Sequence, residues 1–265
     1  MADFEDLPYR HIDGTPLLAR LYRASRSRAV VIEVHGGAWA LNDRTSNVAI
    51  HKYLAAHGIS VFAIDFRMAP AHLYPTAVED VNYAVRWLKA NAARLGVPGP
   101  IGGIGTSSGA HLLAASSLQP GRFAKPEPTL EGHDASIAFL VAAWPILDPL
   151  ARYRMAQAKG LAHLVNAHHA FWPDERAMSD GSPQGMVERG EATSLPPMLI
   201  LQGTADQNVE HEAADRFATA YGLAGGEVEV VKFKDQPHSF IPQTPDAPES
   251  VQALYRIVQF VQARC

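Results

Sequence analysis

Six short apolar runs recur along the chain: Ala29–Val34 (AVVIEV), Ile59–Ile64 (ISVFAI), Ile101–Gly105, Ile137–Ala142, Met198–Gln202 and Val228–Phe233. Each is short and ends in turn residues or a polar stretch, and in AVVIEV the apolarity is close to continuous. Strands buried on both faces carry that pattern, whereas a strand with one wet face alternates. Between the runs lie stretches of helical period. Thr76–Leu95 carries Val78, Val81, Val85 and Leu88 at spacings of three and four and stops at Gly96. Val209–Tyr221 and Glu249–Ala263 follow the same period, the latter with Val251, Leu254, Ile257, Val258 and Val261 as its apolar face. Strand and helix in alternation predict an α/β fold with a mostly parallel central sheet flanked by helices. A hairpin over Tyr9–Ala24, turning at Asp13-Gly14, precedes it.

The alternation lapses once. From Asp148 to Leu195 no strand pattern occurs, and Gly, Pro, His and aromatic residues are frequent. Long segments of this kind in a compact domain serve as lids or binding elements. The expected organisation is one domain over 1–265 with a partial cap inserted at about 148–195.

Composition narrows the partners. A net charge of −4 with no basic stripe argues against nucleic acid. The single cysteine, Cys265, excludes an intrachain disulfide and a multi-cysteine metal site. The start Met1-Ala-Asp-Phe-Glu-Asp has no signal-peptide character, and no apolar run approaches the roughly 18 residues of a membrane span. A cytoplasmic protein is expected, with a homodimer left open.

Chemistry concentrates at the ends of the apolar runs. Gly105-Thr106-Ser107-Ser108-Gly109 is a G-x-S-x-G pattern with a strand before it and an Ala/Leu-rich helix after it. A serine on so sharp a turn is exposed as a nucleophile, and small flanking residues let strand and helix approach. The glycine spacing selects Ser107 over Ser108, which instead supplies a backbone N–H to an oxyanion. His35-Gly36-Gly37-Ala38-Trp39 follows AVVIEV directly, a small-residue loop suited to two further N–H donors. His35 beside those glycines is expected to fix the loop rather than act as a base.

A Ser-His-acid triad on this fold runs Ser, acid, His along the chain. Asp206 lies just past one strand and His238 just past the last, both at the edge where open α/β sheets place their sites. Asp215 looks helical, and Asp235 lies too close to His238 in sequence. The expected catalytic set is therefore Ser107, Asp206 and His238. His111 falls one helical turn past Ser107 and suits packing under a pocket. His163, His168 and His169 cluster in the insertion without the spacing of a metal site, so neither metal nor cofactor is expected. Glu33, inside an apolar strand, needs a partner that the sequence does not name.

These residues together resemble the hormone-sensitive-lipase-like esterases and lipases of the α/β-hydrolase superfamily. HGGA is similar to their HGGG, GTSSG to GDSAG, Gly203–Val209 to G-x-x-D-x-x-V, and Asp65–Leu88 (DFRMAPAHLYPTAVEDVNYAVRWL) to their DYRLAPE…P…ALED…A…WL. The resemblance spans about 29–240 and implies Gly37 and Ala38 as the oxyanion donors of the loop. It implies a carboxylesterase that forms an acyl-enzyme on Ser107 and takes a small-molecule ester. HGGAW also resembles the HGGYW-type loop of kynurenine formamidases, which leaves an amide substrate as the alternative. A non-catalytic receptor of the gibberellin-receptor type is the third reading, against which His238 stands. The short chain favours short-chain or aryl esters, and Trp39, Phe171 and Trp172 are candidates to line the substrate pocket. Trp144 is a further candidate, equally suited to core packing.

Overall fold

The computed structural model describes residues 4–265; the first residues of the acidic start, Met1 to Asp3, lie outside it. Eight strands form one sheet: β1 (Phe4–Ile12), β2 (Thr15–Tyr22), β3 (Ala29–Val34), β4 (Ile59–Ile64), β5 (Ile101–Thr106), β6 (Leu140–Ala143), β7 (Met198–Gly203) and β8 (Val228–Phe233). Their order is β1-β2-β4-β3-β5-β6-β7-β8. β2 runs antiparallel to both its neighbours, and every pairing from β4 to β8 is parallel. The α-helices are α1 (Val48–Ala56), α2 (Thr76–Asn91), α3 (Ser108–Leu118), α4 (Pro149–Ala158), α5 (Ala162–Phe171), α6 (Glu175–Asp180), α7 (Pro183–Glu188), α8 (Glu212–Leu223), α9 (Phe240–Gln243) and α10 (Pro248–Gln262).

The strands alternate their side chains between two cores. Val30, Ile32 and Val34 of β3 pack with residues of α2, α3 and α8. Ala29 and Val31 pack with residues of α1 and α10 on the other face. Both faces of β3, β4, β6 and β7 are buried, which is why these strands are almost wholly apolar.

From β3 the chain steps to β4 on one side, and after α2 it returns to place β5 on the other. The order of strands therefore reverses between β3 and β5, and their carboxyl ends open a crevice there. Pairing of Val34 with Gly105 sets the loop after β3 beside the turn after β5. The segment between β4 and α2 is tied down by Arg67, whose Nε and Nη2 donate to the two oxygens of buried Asp80 at 2.9 and 2.8 Å.

The expected α/β architecture and the Asp13-Gly14 hairpin are observed, with four corrections to individual elements. β6 begins at Leu140, where pairing with β7 starts, and not at Ile137. α8 begins at Glu212 because the N–H groups of Asn208 and Val209 are taken by Asp206 Oδ1, at 2.8 and 2.9 Å. α2 ends at Asn91, and a further turn leads to Gly96 at φ 68°. Val251 is 43% exposed. At 3.6 residues per turn Ser250 falls at the centre of the buried face of α10, and Val251 lies about 100° away from it.

The segment between β6 and β7 folds as the four helices α4–α7 with no strand. Among the described residues no helix is long and apolar enough to cross a membrane.

Candidate active site

β5 runs directly into α3, and the turn between them is Ser107 at φ 51°, ψ −118°. A non-glycine residue there is strained, and two close contacts hold it. A Cβ on Gly105 would lie 2.4 Å from Ala110 Cα, and one on Gly109 would lie 2.1 Å from the Val34 carbonyl oxygen. The helix can therefore pack against β3 only with glycine at 109. Gly109→Ala is expected to destabilise the fold by about 1–3 kcal/mol and to lower activity, read by thermal melting alongside ester turnover.

Ser107, Asp206 and His238 meet at the carboxyl ends of the strands. His238 Nε2 lies 2.9 Å from Ser107 Oγ, and His238 Nδ1 lies 2.7 Å from Asp206 Oδ2. Asp206 as acceptor fixes the imidazole proton on Nδ1, so Nε2 is left to accept from the serine hydroxyl. Both Asp206 oxygens are occupied: Oδ1 accepts from the amides of Asn208 and Val209, and Oδ2 also accepts from Gln202 Nε2 at 3.0 Å. Burial by itself would raise the Asp206 pKa. The His238 hydrogen bond, the charge of that ring and the two amides outweigh burial and hold the carboxyl below its usual range.

The loop after β3 lies across from this trio. Gly37 at φ 119°, Ala38 at φ 52° and Trp39 at φ 62° give it a left-handed path. The Gly37 carbonyl accepts from the amides of Ala40 and Leu41 at 3.0 and 2.9 Å. The N–H groups of Gly37 and Ala38 have no hydrogen-bond acceptor among the described residues, so they are free to serve an oxyanion. Ser108 stands at the first position of α3, where a helix leaves its N–H groups unpaired. His35 is fully buried, donates through Nδ1 to the Gly36 carbonyl at 2.7 Å and stacks on Phe66. It makes no hydrogen bond to Ser107 Oγ, and its own contacts brace the loop.

Thr106 and Asn47 join loop and nucleophile turn, and neither stands out in the sequence. Thr106 Oγ1 accepts from the Gly36 amide at 2.8 Å and from Asn47 Nδ2 at 3.1 Å. The same Asn47 amide donates to Glu33 Oε1 at 2.8 Å, and His51 Nε2 donates to Glu33 Oε2 at 2.9 Å. The partners of Glu33 come from the start of α1, an element with little periodic signal. Asn47 occupies the N-cap position but makes no cap bond, because its side chain turns to Glu33. His51→Ala is expected to destabilise the protein by about 3–5 kcal/mol by leaving a buried carboxylate oxygen unpartnered. A lower urea midpoint at unchanged m checks it.

A cavity of about 700 Å³ opens beside Ser107, within the range of small-molecule sites. Gly37, Ala38, Ser107, Trp144 and His238 form its floor, and Arg152 and His163 stand on its α4 and α5 side. Two other depressions of about 650 Å³ lie elsewhere, one beside Arg86 and His133 and one between α7 and α8, and neither contains a nucleophile with a base. No group of three or more metal-ligating side chains occurs among the described residues.

Trp39, Phe171 and Trp172 are corrected as pocket-lining residues: none of them borders this cavity. They are fully buried beneath the loop, where Trp39 stacks on Phe171 at 5.0 Å and meets Trp172 edge-on at 5.8 Å. Trp39 Nε1 donates to His111 Nδ1 at 3.1 Å, and His111 Nε2 donates to the Gly181 carbonyl at 3.0 Å. Burial pushes His111 down to about 4, against the pull of the Gly181 bond, so the ring is neutral at neutral pH. The aromatic residues pin the loop to α5 because flat rings bury more area packed together than lining a wet cavity. Trp144 borders the cavity.

The BD-FAE family model matches residues 21–221. Esterase LipC of Mycobacterium tuberculosis is 30% identical over 192 residues, which cover 71% of this chain and 47% of that protein. Carboxylesterase/phospholipase LipF of the same organism is 29% identical, over 92% of this chain and 66% of its own length. This chain thus spans about half of the first relative and about two thirds of the second. Among solved structures, the propionate-bound Thermogutta terrifontis esterase Est2 superposes with a TM-score of 0.78 at 25% identity, covering 98% of this chain and 93% of that one. With the matched region running from β2 to α8 through both the nucleophile turn and the loop facing it, the chain belongs to the BD-FAE family, within the hormone-sensitive-lipase-like α/β-hydrolases.

Proposed function

We propose that the protein is a cofactor-free serine carboxylesterase acting on short-chain or aryl esters, with Ser107 as nucleophile, His238 as base and acid, and Asp206 as the group that orients His238. The observation that carries this is the continuous relay from Asp206 through His238 to Ser107, at 2.7 and 2.9 Å, opening on a cavity beside uncommitted backbone donors. His238 Nε2 takes the proton as Ser107 Oγ attacks the ester carbonyl carbon. The resulting oxyanion is held by the N–H groups of Gly37, Ala38 and Ser108. Collapse expels the alcohol with the proton from His238 and leaves an acyl-Ser107 ester. A water deprotonated by His238 attacks that ester, and the serine regains its proton as the carboxylic acid leaves. The relatives' names support the ester as the substrate bond, and the amide alternative draws no separate observation from the site. The helices α4–α7 are read as a partial cap, since α4 and α5 supply one wall of the cavity. Cytoplasmic location and a homodimer belong to the reading as expectations from the sequence alone.

Stoichiometric labelling by a fluorophosphonate, located at Ser107 by peptide mapping, together with turnover of phenyl acetate, tests the assignment. Absence of both would overturn it.

A further inference from the structure

Arg152, on α4, is a buried cation with no ion-pair partner in direct contact, though Asp206 attracts it from farther off. It is 7% exposed and borders the cavity that contains Ser107 and His238. Its Nε donates to the Asn208 carbonyl at 2.9 Å, while Nη1 is buried with no acceptor. Among the described residues it forms no salt bridge within 4.0 Å.

The carboxylates around it are engaged elsewhere. Asp148 accepts from the Ala151 amide at 3.1 Å as the cap of α4, and Glu210 pairs with Lys159 at 2.9 Å. Asp206 is filled by His238, Gln202 and two amides. Burial pushes the guanidinium down to about 10, against the pull of Asp206, so it stays charged at neutral pH. Among the described residues no Asp or Glu borders the cavity, so the fixed charge on its wall is positive.

Burying an unpaired charge is unfavourable, and such charges are retained where a partner arrives. A tie between α4 and the loop of Asp206 would need only the Nε bond. Nη1 takes no part in that tie, and the guanidinium borders the cavity, where its N–H donors match a carboxylate.

We infer that the cavity accepts esters whose non-reacting portion carries a carboxylate, and that Arg152 binds that group. The inference rests on the serine-esterase reading above and specifies its substrate class.

Two pairs of matched esters test it, each pairing a carboxylate with its neutral amide twin. Para-acetoxybenzoate against para-acetoxybenzamide places the charge on the leaving alcohol. Monomethyl succinate against methyl succinamate places it on the acyl group. The expected result is a kcat/KM higher for the acid than for its twin by roughly 10–100-fold in at least one pair, the scale of a hydrogen bond to a charged group. The pair that responds shows which side of the scissile bond Arg152 reads.

In Arg152→Met the acid-to-amide ratio should fall towards one, and in Arg152→Lys it should be partly kept. If Arg152 only tied α4 to its neighbour, Arg152→Met would lower both twins equally, and the inference would fall. It would also fall if wild-type protein that hydrolyses phenyl acetate and labels at Ser107 favoured neither acid. Loss of both phenyl acetate turnover and labelling would instead remove the esterase reading itself. Should Arg152→Met not fold, the wild-type ratios decide.

Discussion

Ser107→Ala is expected to lower ester turnover by about 10⁶-fold while leaving the fold intact. The size follows from the geometry: alanine removes the attacking oxygen, and no other hydroxyl shares the contact with His238 Nε2. Ser108 is next in the chain, but its Oγ accepts from the Trp39 amide at 3.2 Å and is fully buried. Substitution should also introduce no clash, because Ser107 borders the cavity and alanine is smaller. His238→Ala should be nearly as damaging, and the double variant no worse than Ser107→Ala, since the residues act as one unit. Steady-state kinetics on phenyl acetate measures the loss, and circular dichroism with thermal melting establishes that the fold is kept. Turnover comparable with the parent would remove Ser107 from the reaction.

Asp206→Asn is expected to reduce kcat by about 10⁴-fold with little change in KM. The amide is nearly isosteric, so the effect is one of proton placement. The amides of Asn208 and Val209 both donate to Oδ1, and an amide oxygen would turn towards that pair of donors. Its NH₂ would then face His238 Nδ1 as a donor and move the imidazole proton to Nε2, where the ring can no longer accept from Ser107.

The same substitution has a pH signature in stability. The native pKa of Asp206 is depressed, so the stability it contributes is present above the unfolded carboxyl pKa of about 3.9. It is lost as pH falls from there through the native value. Wild type should therefore lose stability below about pH 4 more steeply than Asp206→Asn, as read from urea midpoints over that range. Equal slopes would show that Asp206 is not held ionised by its neighbours.

The parts that carry local signatures were legible without coordinates. β3, β4, β5 and β7 were evident because strands covered on both faces are apolar almost throughout, and the edge strand β8, with Glu229 and Lys232 exposed, was evident from its β-branched content. The nucleophile turn, the loop after β3, Asp206 and His238 each follow directly from a strand whose end the sequence marks. The sequence also placed the helical segment between β6 and β7 as a departure from the alternation, though not its four helices.

What the tertiary structure alone decided are the contacts between residues far apart in the chain. Glu33 reads as an anomaly until α1 brings Asn47 and His51 over it. Trp39, Phe171 and Trp172 look like pocket aromatics because composition reports size and apolarity, whereas their packing against one another and against His111 puts them under the loop. Arg152 is one arginine among many in sequence. Only the fold buries it beside the cavity with no carboxylate of the described residues in ion-pair contact. Strand periodicity and turn chemistry act between near neighbours, so they are written locally. Charge pairing and cavity walls depend on which distant side chains the folded chain brings together.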